Sequence, residues 1–277
     1  MLRKSLKIAA LAFFAPCLAN ALTADFDLTQ PTSVSDADGW GGMVELIDKI
    51  FLGDVYGSEY VYSYASSGSA DLGLSVVGFT SYSNSITPVD VGQWGGGLGA
   101  EFALGGGEHA IDNNEQRWSG NAYDMLLLSF TEAVSLDAIS SGWRGADRGD
   151  STVDASNSES SILAYTGSAT PDSFVGGSWN TLGSSWTGIG NYQIDNLNSP
   201  EAVNEGGLLS QYWLVGAYNS TLTGITDEQG VSFTDGNDFW KLDGISVSVN
   251  PVPLPGTLVL FGTALLAAGS IRKKTKK

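Results

Sequence analysis

The chain has 277 residues with 30 acidic against 13 basic side chains, a formal charge of −17, and only one cysteine and one histidine. Every acidic residue falls between positions 22 and 255, where only Lys49, Arg117, Arg144, Arg148 and Lys241 are basic, so that segment carries a formal −25 (five basic against 30 acidic). Such a surface repels nucleic acid and anionic membranes, and one cysteine excludes a disulfide framework.

Arg3, Lys4 and Lys7 precede the apolar stretch Ile8–Leu18, and Ala19-Asn20-Ala21 places small residues at the two positions a signal peptidase reads, Ala19 and Ala21. This predicts a signal helix over residues 1–21, removed during export. Cys17 fits a lipid-attachment motif poorly because Pro16 precedes it; if it leaves with the signal, no thiol chemistry remains.

Residues 22–250 are expected to form one exported domain. Thirty-six glycines with eight tryptophans and ten tyrosines favour short strands joined by tight turns. Only Met43–Leu52 has helical spacing. Alternation at Tyr60, Tyr62 and Tyr64, and at Leu72, Leu74 and Val76, predicts two half-buried strands joined by a hairpin through Ser66–Ala70. Met125–Phe130 is a continuous apolar run suited to a strand covered on both faces. Ser161–Thr166 and Gln211–Tyr218 are similar in character. In the last strand, Phe239–Val249, the inward set is Trp240 and Leu242, then Ile245, Val247 and Val249; the change of parity at Gly244 predicts a β-bulge. The glycine clusters at 95–97 and 105–107 and the stretch 150–160 are expected to be surface loops. Together these elements predict an all-β domain, a β-sandwich of jelly-roll type.

Residues 251–277 read as a sorting tail. Val252-Pro253-Leu254-Pro255-Gly256 ends the last strand, since proline has no N–H to donate. Thr257–Ile271 is uncharged and mostly apolar; as a helix it would measure about 22 Å, short of the roughly 30 Å hydrocarbon core. Arg272, Lys273, Lys274, Lys276 and Lys277 would hold its end on the cytoplasmic side as a stop-transfer signal. This order of proline motif, short transmembrane helix and basic end resembles the PEP-CTERM signal of exosortase-dependent surface proteins in Gram-negative bacteria, with Leu254 where that motif usually carries Glu. The resemblance extends inward. His109-Ala110-Ile111-Asp112-Asn113, a strand ending at Phe130, Ser141-Gly142-Trp143, Asp147 and Asp150, Ser161–Thr166 and the closing Phe239–Ile245 are similar to the recurring core of that group. It implies transient inner-membrane insertion, cleavage by an exosortase, and a place at the cell surface or in an exopolysaccharide-containing biofilm matrix.

The residues leave the domain's chemistry open among three readings. The first is a non-catalytic matrix protein: His109 is the only histidine, and neither a G-x-S-x-G elbow nor an H-E-x-x-H zinc motif occurs. The second is a carbohydrate-binding module. Trp40, Trp94, Trp118, Trp179 and Trp186 lie in Gly/Ser/Asn-rich context, and Trp118 and Trp179 are the foremost stacking candidates, whereas Trp213 and Trp240 belong to strands and to the core. The third, a glycan-active enzyme, needs two facing carboxylates, a spacing that sequence cannot show. A structural Ca²⁺ is the expected cofactor, held by Asp25 and Asp243 on the first and last strands or by the turn carrying Asp235, Asn237 and Asp238.

Overall fold

The computed structural model describes residues 22–35, 55–57, 59–64, 72–82, 84–101, 110–113, 122–145, 158–171, 174–234, 236 and 238–249. The signal segment, the predicted helix at 43–52, the glycines at 105–107 and the sorting tail lie outside them. Thr23–Asn250 forms one compact unit.

The described residues are all-β. The first strands are β1 (Leu22–Asp27), β2 (Ser33–Ser35), β3 (Val55–Gly57), β4 (Glu59–Tyr64), β5 (Leu72–Tyr82), β6 (Ser85–Trp94) and β7 (Gly97–Glu101). They are followed by β8 (Ile111–Asp112), β9 (Met125–Arg144), β10 (Ser158–Tyr165), β11 (Trp186–Ile194), β12 (Glu201–Ala202), β13 (Ser210–Ala217) and β14 (Phe239–Val249). A short 3-10 turn at Trp179–Thr181 interrupts the connection from β10 to β11. No described helix is long and apolar enough to cross a membrane.

Two strands that change partners along their length organise the fold. Residues 125–130 of β9 lie between β5 and β13, whereas residues 134–144 run along β14. The changeover falls at the exposed Thr131-Glu132-Ala133. Likewise β6 pairs with β5 through Val89 and with β7 from Asp90 onward. With β7 pairing β14, the ladders β5–β9–β14–β7–β6–β5 close into a circuit. The apolar run at 125–130 was expected to end at Phe130; the strand instead continues to Arg144, because the backbone passes from one ladder to the next without leaving extended geometry.

One core fills this circuit. Leu126, Leu128 and Phe130 meet Leu74 and Val76 of β5, Tyr60 and Tyr62 of β4, Trp213 and Val215 of β13, and Trp240, Leu242, Ile245 and Val247 of β14. The last set is the predicted inward face, and the β9–β14 register slips between Leu242 and Gly244, where the bulge was expected. A second cluster lies on the opposite face of the same strands, where Met125, Leu163, Leu214, Ile86 and Tyr123 are covered by Trp179, with Leu127, Phe174 and Trp186 packed against them. The run at 125–130 is therefore buried on both faces, which is why it shows no alternation.

Two predicted loops are strand instead. Trp94 pairs with Gly97, so Gly95 and Gly96 form a two-residue hairpin turn and Gly97 is buried. Gly97 has φ +118°, and a Cβ there would lie 2.4 Å from the Leu242 carbonyl oxygen; only glycine fits. Ser158, Glu159 and Ser160, expected in a loop, begin β10 and are buried between β11 and β13.

Candidate functional site

Three places gather chemistry. The first is a groove of about 620 Å³ along β1 and β14, lined among others by Asp25, Asp27, Ser140, Asp243 and Ser246. It exists because β1 lies along β14: Leu28 N–H donates to the Asp243 carbonyl at 2.8 Å, and the Ser246 hydroxyl donates to Asp25 Oδ1 at 2.6 Å. The Ser140 hydroxyl donates to Asp243 Oδ1 at 2.5 Å, and the Thr29 hydroxyl to Asp27 Oδ1 at 2.5 Å. The structure thus brings the sequence candidates Asp25 and Asp243 to one groove and adds Asp27. Among the described residues, no three Asp, Glu, His or Cys side chains come together so as to hold a metal ion. The donors available are hard oxygens, the type Ca²⁺ accepts, and the remaining ligands of such an ion would have to be backbone carbonyls and water.

Asp238, expected in a calcium turn, is used differently. It is 1% exposed; Oδ1 accepts the Glu159 N–H at 2.7 Å, and Oδ2 accepts the Asn113 amide at 2.6 Å. Asn113 Oδ1 in return accepts the Asp238 N–H at 2.9 Å, and Glu159 Oε2 accepts the Thr234 N–H at 3.0 Å. This reciprocal pair ties the segment after β8 to the entries of β10 and β14, a structural duty that satisfies buried polar groups. Asp235 and Asn237 lie outside the described residues.

The third place is a groove of about 300 Å³ where the β10–β11 connection folds back over the sheet. Tyr165 ends β10 and Trp186 begins β11, paired directly in register, and their ring centroids are 5.2 Å apart at 61°. Phe174 approaches Trp186 at 6.2 Å and 80°. Hydroxyls of Ser178, Thr181 and Ser185 complete the rim, and no lining residue carries a charge.

The tryptophans separate by environment. Trp213 and Trp240 are fully buried, as expected. Trp179 is also core, a correction to its expected role in stacking: it is 2% exposed, and its Nε1–H donates to the Tyr123 carbonyl at 3.2 Å. Its Ser/Asn-rich neighbours mark a connection that packs down onto the sheet, not one that projects. Trp94 is buried at 7% exposure and lies 5.1 Å from the Lys241 ammonium, which Trp143 flanks on another side at 4.9 Å. Trp186 is half-buried, with its ring reaching the groove. Trp40, Trp118 and His109, like the sorting residues Val252–Gly256 and the basic end, lie outside the described residues. Sequence reasoning missed Tyr165; its signal was an aromatic residue closing the buried run at 161–164.

No known family model matches the chain, and no curated protein is detectably similar to it.

Proposed function

We propose that this protein is an exported, exosortase-processed surface protein that contributes to an exopolysaccharide-containing extracellular matrix and has no catalytic role. The observation that carries this reading is the tail: the proline motif at 252–256 follows directly on β14, which ends at Val249, and leads into an apolar run and five basic residues. Signal peptidase and an exosortase are its partners during export. An all-β domain bearing a formal −25 suits a protein that stays soluble outside the cell. The pairing circuit around one core supports a β-sandwich of jelly-roll type as its finer architecture. A structural Ca²⁺ at the groove of Asp25 and Asp243, or at the turn 235–238, belongs to the same proposal.

A second reading, a carbohydrate-binding module acting on the cell's own exopolysaccharide, is favoured by the aromatic groove at Tyr165 and Trp186. That groove has no lining carboxylate to serve as general acid, which favours binding over hydrolysis there.

The test compares secreted and matrix fractions of the native host with and without its exosortase. The protein is expected in the matrix only when the exosortase is present, and the purified form is expected to hydrolyse no polysaccharide, ester or peptide. Equal matrix content in both strains would overturn the sorting reading. Turnover abolished by a single Asp→Asn substitution would overturn the non-catalytic one.

A further inference from the structure

The aromatic groove is built before any ligand arrives. Trp186 is braced by Tyr165 and Phe174, and Phe174 is itself held by Phe79 at 4.7 Å and 62° and by Trp179 at 5.8 Å. Tyr165 is fixed from the other side by Tyr212, 6.0 Å away at 84°. It also lies against Gly167, where a Cβ would come within 2.3 Å of the phenol oxygen. Rings locked in this way lose little rotamer freedom on binding, which is the main cost of using them as a platform.

The lining also selects the ligand. An indole face and phenol edge offer apolar surface to the C–H face of a sugar, and the rim hydroxyls both donate and accept, as sugar hydroxyls require. Within a domain of formal charge −25, a lining without a single charged residue offers an anion no cation and leaves the surrounding field repulsive. An extended peptide finds no free strand edge beside the groove. The outer edge of β11 is closed by Asn191 N–H to the Thr226 carbonyl, Glu228 N–H to the Asn191 carbonyl, and Gln193 N–H to Gln229 Oε1. About 300 Å³ is the lower end of ligand-pocket volumes and suits a short stretch of glycan.

We propose that this groove binds a neutral sugar unit of a polysaccharide, with Trp186 as the stacking platform, Tyr165 as the flanking wall and the hydroxyls of Ser178, Thr181 and Ser185 as polar contacts. The inference rests on the reading that the exported domain meets exopolysaccharide.

The full chain, purified in detergent, is titrated calorimetrically with neutral glucan and mannan oligosaccharides and with oligogalacturonate as the anionic comparison. At least one neutral series is expected to bind and oligogalacturonate is not. Trp186→Ala should weaken binding by about tenfold or more, the equivalent of one lost stacked ring, and Trp186→Phe by less. Because Trp186→Ala could disturb the second core, Gly183→Gln is the companion variant. Gly183 lines the groove, a Cβ there meets nothing within 4 Å, and its φ lies outside the left-handed range. This variant fills the groove without strain and should also lower affinity by about tenfold or more. No binding of any neutral oligosaccharide, equal binding of oligogalacturonate, or affinity unchanged in both variants would overturn the proposal. Glycan binding by a protein absent from the matrix fraction would support the groove and overturn the localisation reading. A matrix protein that binds no neutral glycan would do the reverse.

Discussion

Asp238 and Glu201 show two ways in which an acidic chain accommodates its carboxylates. Asp238 has both oxygens bonded to neighbouring N–H groups, so it organises strand entries without reaching solvent. Glu201, on β12, is only partly buried; desolvation raises its pKa from the ordinary 4.5, the nearby Asp195 charge raises it further, and the Gln229 amide, donating at 2.6 Å, opposes both. A carboxylate whose pKa is higher folded than unfolded binds more protons in the native state, so its contribution to stability is present below the ordinary value and lost as pH rises through the raised one. Glu201→Gln keeps an oxygen for Gln229 and removes the ionisation. The stability difference between wild type and this variant, from urea midpoints, should therefore shift in favour of the variant between pH 4 and pH 7. A difference that stays constant with pH, or moves toward the wild type, would contradict this account. The phenols of Tyr62 and Tyr192 are also pushed above their usual pKa, chiefly by burial. Tyr62 donates to the Leu28 carbonyl at 2.8 Å and Tyr192 accepts the Asn204 N–H at 3.1 Å, so both act as neutral hydrogen-bonding groups.

Among the elements, the connection from β10 to β11 separates packing from recognition most clearly. Trp179 and Trp186 are seven positions apart in similar sequence surroundings, yet one is sealed beneath the connection and the other lines a groove. Trp179→Ala should destabilise the domain by about 3–5 kcal/mol, the usual cost of truncating a buried aromatic ring, and denaturant unfolding checks it. A loss below about 1 kcal/mol, typical of an exposed position, would contradict the core assignment. This contrast explains what the sequence could reveal. Alternation at Tyr60, Tyr62, Leu72, Leu74 and Val76 exposed the half-buried strands, and the parity change at Gly244 exposed the bulge, because both are period-two signals local to one strand. The fate of Trp179 depends on a connection folding back over a distant sheet, and the Asn113–Asp238 pair spans 125 residues; no local pattern records either. The groove of Asp25 and Asp243 was legible because first and last strands often pair, whereas Tyr165 came into view only with its partner Trp186 across the β10–β11 ladder. If Ca²⁺ binds at that acidic groove or at the turn 235–238, millimolar Ca²⁺ should raise the melting temperature more than Mg²⁺ at equal ionic strength, through linkage to the folded state. Equal effects would reduce the role of the cation to screening of the acidic surface.

At the scale of the whole molecule, the account joins a rigid, acidic all-β domain to terminal segments that direct its traffic. The circuit of ladders through β5, β9, β14, β7 and β6 leaves β14 as the last structural strand, and the proline motif begins three residues beyond it. Proline there favours extended backbone, the conformation in which a protease reads its substrate. The central claim is that residues 252–277 are a processing signal and no part of the mature protein. Intact-mass measurement of the protein recovered from the extracellular fraction tests it most directly. The account predicts a species beginning near Leu22 and ending close to Pro253 or Pro255, without Arg272–Lys277, and its disappearance when the exosortase is removed. An extracellular species that still carries the basic end would contradict it.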